Sequence, residues 1–169
     1  EINAALPCGE TPADTEDYEG FYHLVSMSGD VACAKLHYIV RDHDADKFAA
    51  RLETLKEISK QMNLKWGFGT VKLTIDEQYR NMAEIIEDGN MHLIENAKKA
   101  CAAADVTPLI LPIRGGTDGA RLSFMGLPCP NLGTGGHGYH GPFEHITAEG
   151  MDKAVDVMIE LVKLYAEMK

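Results

Sequence analysis

Nine of the chain's 16 glycines and four of its seven prolines fall between Pro112 and Glu144, in the run PIRGGTDGARLSFMGLPCPNLGTGGHGYHGPFE. Residues of this kind cannot continue a long regular element, because glycine forfeits backbone entropy on ordering and proline lacks an amide donor. The run therefore folds as a series of loops between the hydrophobic segments that lead in and out of it. Glycine is tolerated where the backbone takes a positive φ or approaches a ligand closely, so the same loops are the place to seek a bound group. Arg114, beside a Gly-Gly-Thr-Asp turn, and two histidines, His137 and His140, lie within them.

Ahead of the loops the pattern changes twice. EINAAL is helix-like and is stopped by Pro7, and GETPADTEDYEG, with five acids, two glycines and a proline, reads as a solvated connector. Phe21 to Met27 reads as a strand ended by Ser28-Gly29-Asp30, and Ala32 to Arg41 as a second, so an antiparallel hairpin is the simplest pairing. An aspartate of Asp42-His43-Asp44 can cap a helix starting near Ala45, where Phe48, Leu52, Leu55, Ile58 and Met62 recur at helical spacing. Val71, Leu73 and Ile75 alternate with polar residues and predict a third strand of the same sheet. Strand, strand, helix, strand is most of a small α+β sandwich of the split βαβ or ferredoxin-like kind.

The character shifts at about Asn81 to Met91. His92 to Ala104 predicts a helix, Val106 to Ile113 a buried strand, and Gly119 to Met125 a short helix. Leu127 to Leu132 has room for a short strand despite Pro128 and Pro130, and Glu149 to Met168 is a long helix. Met151, Ala154, Val155, Met158, Leu161, Val162 and Tyr165 form its expected apolar face. Alternating helices and strands imply an α/β layer with a mostly parallel sheet, and the expected division is residues 1–17, 18–80 and 81–169. The sequence opens at Glu1 without a methionine, inside helix-like residues, and reads as a piece of something longer.

The net charge of −10 and pI near 5.1 argue against a general affinity for nucleic acid, which needs clustered Lys and Arg. Cys8, Cys33, Cys101 and Cys129 are too dispersed for a disulfide framework, which favours reduced thiols in a cytoplasmic protein. No apolar run approaches the ~20 residues that cross a bilayer, and membrane association is not expected.

Arg114 directly follows an apolar strand, so it is placed at a strand end, where open α/β sheets bind ligands. A guanidinium grips a carboxylate bidentately, and the equally simple alternative is a surface pair with Asp118. His140 stands four residues before Glu144 among glycines; imidazole suits zinc, and the carboxylate could orient the ring. One histidine is not a metal site, and a solvated loop residue is the plainer reading. His37 and His43 read as exposed polar residues at a strand end, and Asp42 and Asp44 as capping residues.

The run IRGGTDGARLSFMGLPCPN, followed by TGG and YHGPFE, resembles the C-terminal part of the peptidase T family, bacterial tripeptide aminopeptidases among the di-zinc exopeptidases related to carboxypeptidase G and aminoacylase. ETPADTEDYEGFYHL and GDVACAKLHYIVRDHD resemble the family's entry into its inserted lid or dimerisation domain, and the likeness covers nearly all of the chain. The resemblance implies that 1–17 is the end of a lid helix with its connector. It makes 18–80 part of an antiparallel-sheet lid sandwich and 81–169 the C-terminal part of an α/β catalytic domain. It implies that His140 binds one of two zinc ions with Glu144 behind it, and that Arg114 and, more weakly, Asn131 contact the substrate.

Departures from the family pattern are equally informative. Gly133 replaces a larger residue, and the GGHGYHGPFEH loop differs from the usual asparagine- and lysine-bearing one, so His137 is not expected to be a ligand. The family's His-x-Asp motif, bridging aspartate, Glu-Glu pair with its general base, and lid histidine have no counterparts here. Adjacent acids such as Glu16-Asp17, Asp76-Glu77 and Glu87-Asp88 stand in connector or strand-end contexts. No catalytic residue is therefore expected in this chain. The implied function is part of a zinc-dependent enzyme that removes the N-terminal residue of tripeptides, inactive alone, with self-association through the lid. The alternative is a dimerisation module or an inactive truncated product.

Overall fold

The computed structural model describes residues 1–78 and 80–168. The chain divides into two compact units, Glu1–Asn81 with Leu111–Gly115, and Met82–Ile110 with Gly116–Lys169.

In the first unit the order is α1 (Ile2–Ala5), β1 (Phe21–Gly29), β2 (Ala34–Arg41) and α2 (Ala45–Trp66). β1 and β2 pair antiparallel from Phe21↔Arg41 to Gly29↔Ala34, with a register shift between Leu24 and Ser26. The turn is closed by Asp30, whose Oδ1 accepts the amides of Ala32 at 2.8 Å and Cys33 at 2.9 Å. Asp44 caps α2 as its position predicts, accepting the Lys47 amide at 2.9 Å. Leu6, Tyr22, Leu55 and Ile58 form the buried core, flanked by Ile2, Tyr38, Val40 and Met62. Each element contributes an apolar side chain, so none of them buries its hydrophobic face alone.

Two expectations for this unit change. Val71 to Ile75 forms no strand; instead the Asn63 side chain donates to the Val71 carbonyl at 2.8 Å and accepts its amide at 2.9 Å. One amide side chain at the end of α2 thus satisfies both backbone groups that a ladder would have used. The acidic connector is more than a solvated tether, because Glu10 pairs with Arg51 and the Glu10 carbonyl accepts the Tyr22 amide at 2.8 Å.

The second unit runs α3 (Ala83–Glu87), α4 (Met91–Ala103), α5 (Asp118–Phe124), β3 (Gly136–His137), β4 (His145–Ile146) and α6 (Ala148–Glu167). Its core joins α4 to α6 through Ala100, Ala104 and Val157, with Cys101, Val106, Leu161 and Leu164 around them. α4 ends with Asp105 at φ 55 and with the Val106 amide on the Cys101 carbonyl at 2.8 Å. This is a Schellman closure, and Lys153 Nζ adds a bond to the Ala104 carbonyl at 2.9 Å.

Here too the structure corrects the pattern. Val106 to Ile113 and Leu127 to Leu132 form no strands, and the described residues hold two two-stranded antiparallel sheets and no parallel one. Leu109 and Leu111 are 77% and 70% exposed. A continuous apolar run signals burial on both faces, but a strand exists only where neighbouring strands take up its hydrogen bonds. α6 faces its core with Val157, Leu161 and Leu164, whereas Met151, Val155, Met158 and Val162 are exposed. The helix is apolar on more than one side, and its neighbour α4 selects the buried one.

Candidate functional site

The glycine-rich loops are held from within the second unit. Thr117 caps α5 by accepting the Ala120 amide at 3.3 Å, and Asn131 Nδ2 donates to the same hydroxyl at 3.2 Å. Ser123, 2% exposed, donates to the Gly119 carbonyl at 2.8 Å and accepts the Cys129 amide at 3.0 Å. A Cβ on Gly119 would lie 2.4 Å from the Cys129 carbonyl oxygen, so this close approach requires glycine. Asn131 is thereby fixed against the start of α5.

Beyond it, β3 and β4 pair Gly136 with Ile146 and His137 with His145. Gly138, at φ 65, packs so tightly that a Cβ would sit 3.0 Å from the Phe143 carbonyl oxygen. Thr147 then caps α6 through the Gly150 amide at 3.0 Å.

His140 sits between these strands with φ 62, a left-handed conformation uncommon for a residue with a Cβ. Glu144 Oε2 accepts the backbone amide of His140 at 3.1 Å. The carboxylate thus secures the strained backbone, whereas the sequence reading had it orienting the imidazole. His140 is exposed, as a residue projected from such a turn should be.

Arg114 belongs to the first unit. Its Nη1 donates to the Thr15 carbonyl, its Nη2 donates to the Thr15 hydroxyl and, at 3.4 Å, to the Glu19 carbonyl, and its guanidinium carbon lies 4.9 Å from the Phe21 ring centre. Its Nε is buried without a partner. These acceptors are two backbone carbonyls and a hydroxyl, none of them a carboxylate.

His43 is half-buried rather than simply exposed: its Nε2 bonds the Ile113 carbonyl at 3.3 Å, and Tyr18 meets its ring edge-on at 5.2 Å. A carbonyl only accepts, so Nε2 is the donor in this bond, and Nδ1 is buried without a hydrogen-bond partner. Asp42, read from sequence as a cap, has a side chain 1% exposed and pairs with Arg51 at 2.8 Å. Sequence reasoning missed Thr15, Tyr18 and His43 as neighbours of the Arg114 segment. Nothing local in a connector announces a contact made almost a hundred residues away.

Among the described residues no group of three His, Cys, Asp or Glu side chains gathers that could hold a metal ion. His140 and Glu144 supply one imidazole and one carboxylate committed to a backbone amide, fewer than the three protein ligands that a catalytic zinc centre takes. Among the described residues no helix is long and apolar enough to cross a membrane.

No family model matches the sequence. It is 52% identical over 167 residues to a peptidase T of Desulfitobacterium hafniense, covering 99% of this chain and 40% of that protein. A peptidase T of Aeromonas hydrophila is 54% identical over 163 residues, 96% of this chain and 40% of its own length. One from Clostridium novyi is 48% identical over 167 residues, covering 99% and 41% respectively. The chain thus spans about 40% of the length of the curated relatives it matches. Among solved structures, a tripeptidase from Staphylococcus aureus superposes with a TM-score of 0.69 at 16% identity, over 98% of this chain and 44% of that one. An aminopeptidase PepT from Bacillus cereus gives a TM-score of 0.59 at 19% identity, with the same coverage. These structures share the mixed helix-and-strand fold.

Proposed function

We propose that this chain, a relative of the peptidase T family along 99% of its own length, forms part of a metal-dependent aminopeptidase that removes the N-terminal residue of tripeptides. The carrying observation is the 52% identity over 167 residues, a match long enough to include the whole of Pro112–Glu144. In this reading residues 18–80 belong to a lid and 81–169 to the catalytic domain. His140 is a zinc ligand presented by its left-handed backbone, Glu144 its support, Arg114 the clamp on the substrate carboxylate, and Asn131 part of the pocket floor.

The support for Arg114 is chemical. Its present partners are neutral oxygens, which a carboxylate would outcompete because charge-assisted bidentate pairs are roughly twice as strong as neutral hydrogen bonds. In this reading the chain supplies one metal ligand and the carboxylate clamp, its contribution is binding and positioning, and by itself it hydrolyses nothing. Two measurements test the reading. The chain alone, assayed on tripeptides with added zinc, shows no turnover; turnover near that of an intact enzyme overturns this part. A chimera carrying this sequence in place of the matching segment of the Desulfitobacterium relative hydrolyses tripeptides and loses that activity on His140→Ala. A folded chimera that leaves tripeptides intact overturns the assignment.

A second reading is a homodimerisation surface, favoured by Val25 and Met27, which stand 45% and 71% exposed on β1. Sedimentation of the metal-free chain decides it: a dimer supports this reading and a monomer removes it.

A further inference from the structure

We infer that His43 is a positioning residue for Arg114, a role that rests on Arg114 being the clamp on the substrate carboxylate. The segment Leu111–Gly115 joins no ladder, so no sheet fixes the direction in which Arg114 leaves the backbone. His43 Nε2 donates to the Ile113 carbonyl at 3.3 Å, one residue before the arginine, while Thr15 and Glu19 take the guanidinium itself. Backbone and side chain of the clamp are thus held by separate groups.

The loop that carries His43 is secured on both sides. Asp42 is bound by Arg51 at 2.8 Å, Asp44 takes the Lys47 amide at 2.9 Å, and the Asp44 amide donates to Asp42 Oδ1 at 3.1 Å. Asn81 Nδ2 adds a bond to the His43 carbonyl at 3.1 Å. Tyr18, from the connector that also carries Thr15 and Glu19, meets the ring edge-on. An apolar side chain at this position would avoid burying Nδ1 without a partner, a cost that stability alone gives no reason to bear. What the imidazole adds over such a side chain is the Nε2 donor, and that donor holds the residue before Arg114.

The tripeptide-hydrolysing chimera tests this, assayed on one tripeptide and on the same tripeptide with a C-terminal amide in place of its carboxylate. His43→Leu, and His43→Phe, which keeps a ring against Tyr18, should raise KM for the free acid about fivefold, the size of one neutral hydrogen bond. With kcat and thermal stability nearly unchanged, KM for the amide should move by less than about twofold. His43→Gln, whose side-chain amide can donate in place of Nε2, should restore KM for the acid. An unchanged KM in the apolar variants, an equal rise for acid and amide, or a Gln variant no better than Leu overturns the role. Arg114→Ala separates this role from the reading beneath it. If that variant still prefers acid to amide as strongly as the parent, the clamp fails and the role of His43 with it; a preference that needs Arg114 but survives His43→Leu and His43→Phe overturns His43 alone.

Discussion

Arg51 Nε donates to Asp42 Oδ2 at 2.8 Å, with the Asp42 side chain 1% and the Arg51 side chain 14% exposed. The pair ties the end of β2 to the first half of α2, and Glu10 joins it from the connector. Replacing Asp42 by Ala leaves a guanidinium with only the more exposed Glu10 carboxylate, and loss of one partner of a buried pair costs about 3–5 kcal/mol. Since Arg51 retains some exposure and a second acid, the lower end is expected, read as a shift of the urea midpoint. A loss below about 0.5 kcal/mol, the range of ordinary surface changes, would show the pair to be dispensable.

Gly20 approaches this pair. A Cβ there would lie 2.1 Å from Asp42 Oδ2 and 2.5 Å from the Arg41 carbonyl oxygen, so Gly20→Ala must displace backbone as well as side chain. The expected cost is about 1–3 kcal/mol, as for overpacking. Gly9→Ala, with nothing within 4 Å of the added carbon, is the matched control and should leave stability nearly unchanged.

Asp30 should make the hairpin sensitive to acid. Hydrogen bonds from the backbone amides of Ala32 and Cys33 favour its charged form and hold its pKa below the ordinary 3.8. A lowered folded pKa contributes stability that is fully present above the unfolded value and lost as pH falls through the folded one. The stability difference between the native chain and Asp30→Asn should therefore be constant near neutrality and shrink below about pH 4. A gap that stays constant or widens on acidification contradicts the assignment.

Ser123→Ala removes a buried hydroxyl that both donates to Gly119 and accepts from the Cys129 amide. Leaving that amide without its acceptor costs about 1–3 kcal/mol. Hydrogen exchange at Cys129 should accelerate in step with the stability lost; unchanged protection would mean that another acceptor takes over.

What the sequence determined by itself was local. Asp44 and Thr147 cap helices because their side chains reach amides two or three residues on, and the Phe21–Arg41 hairpin follows from two β-rich runs around a short turn. The resemblance carried by GGTDGA and SFMGLPCPN also lies in the residues themselves, and it agrees with the matched relatives. Tertiary structure alone decided the rest. Val71 is claimed by Asn63 instead of a sheet edge, α6 turns Val157 rather than Val155 towards α4, and Val106 to Ile113 stays outside any ladder. The same is true of Arg114 on Thr15 and of the facing rings of His137 and His145. Alternation and helical spacing report that a face wants burial, but which surface buries it depends on contacts between distant residues, and no local period encodes those.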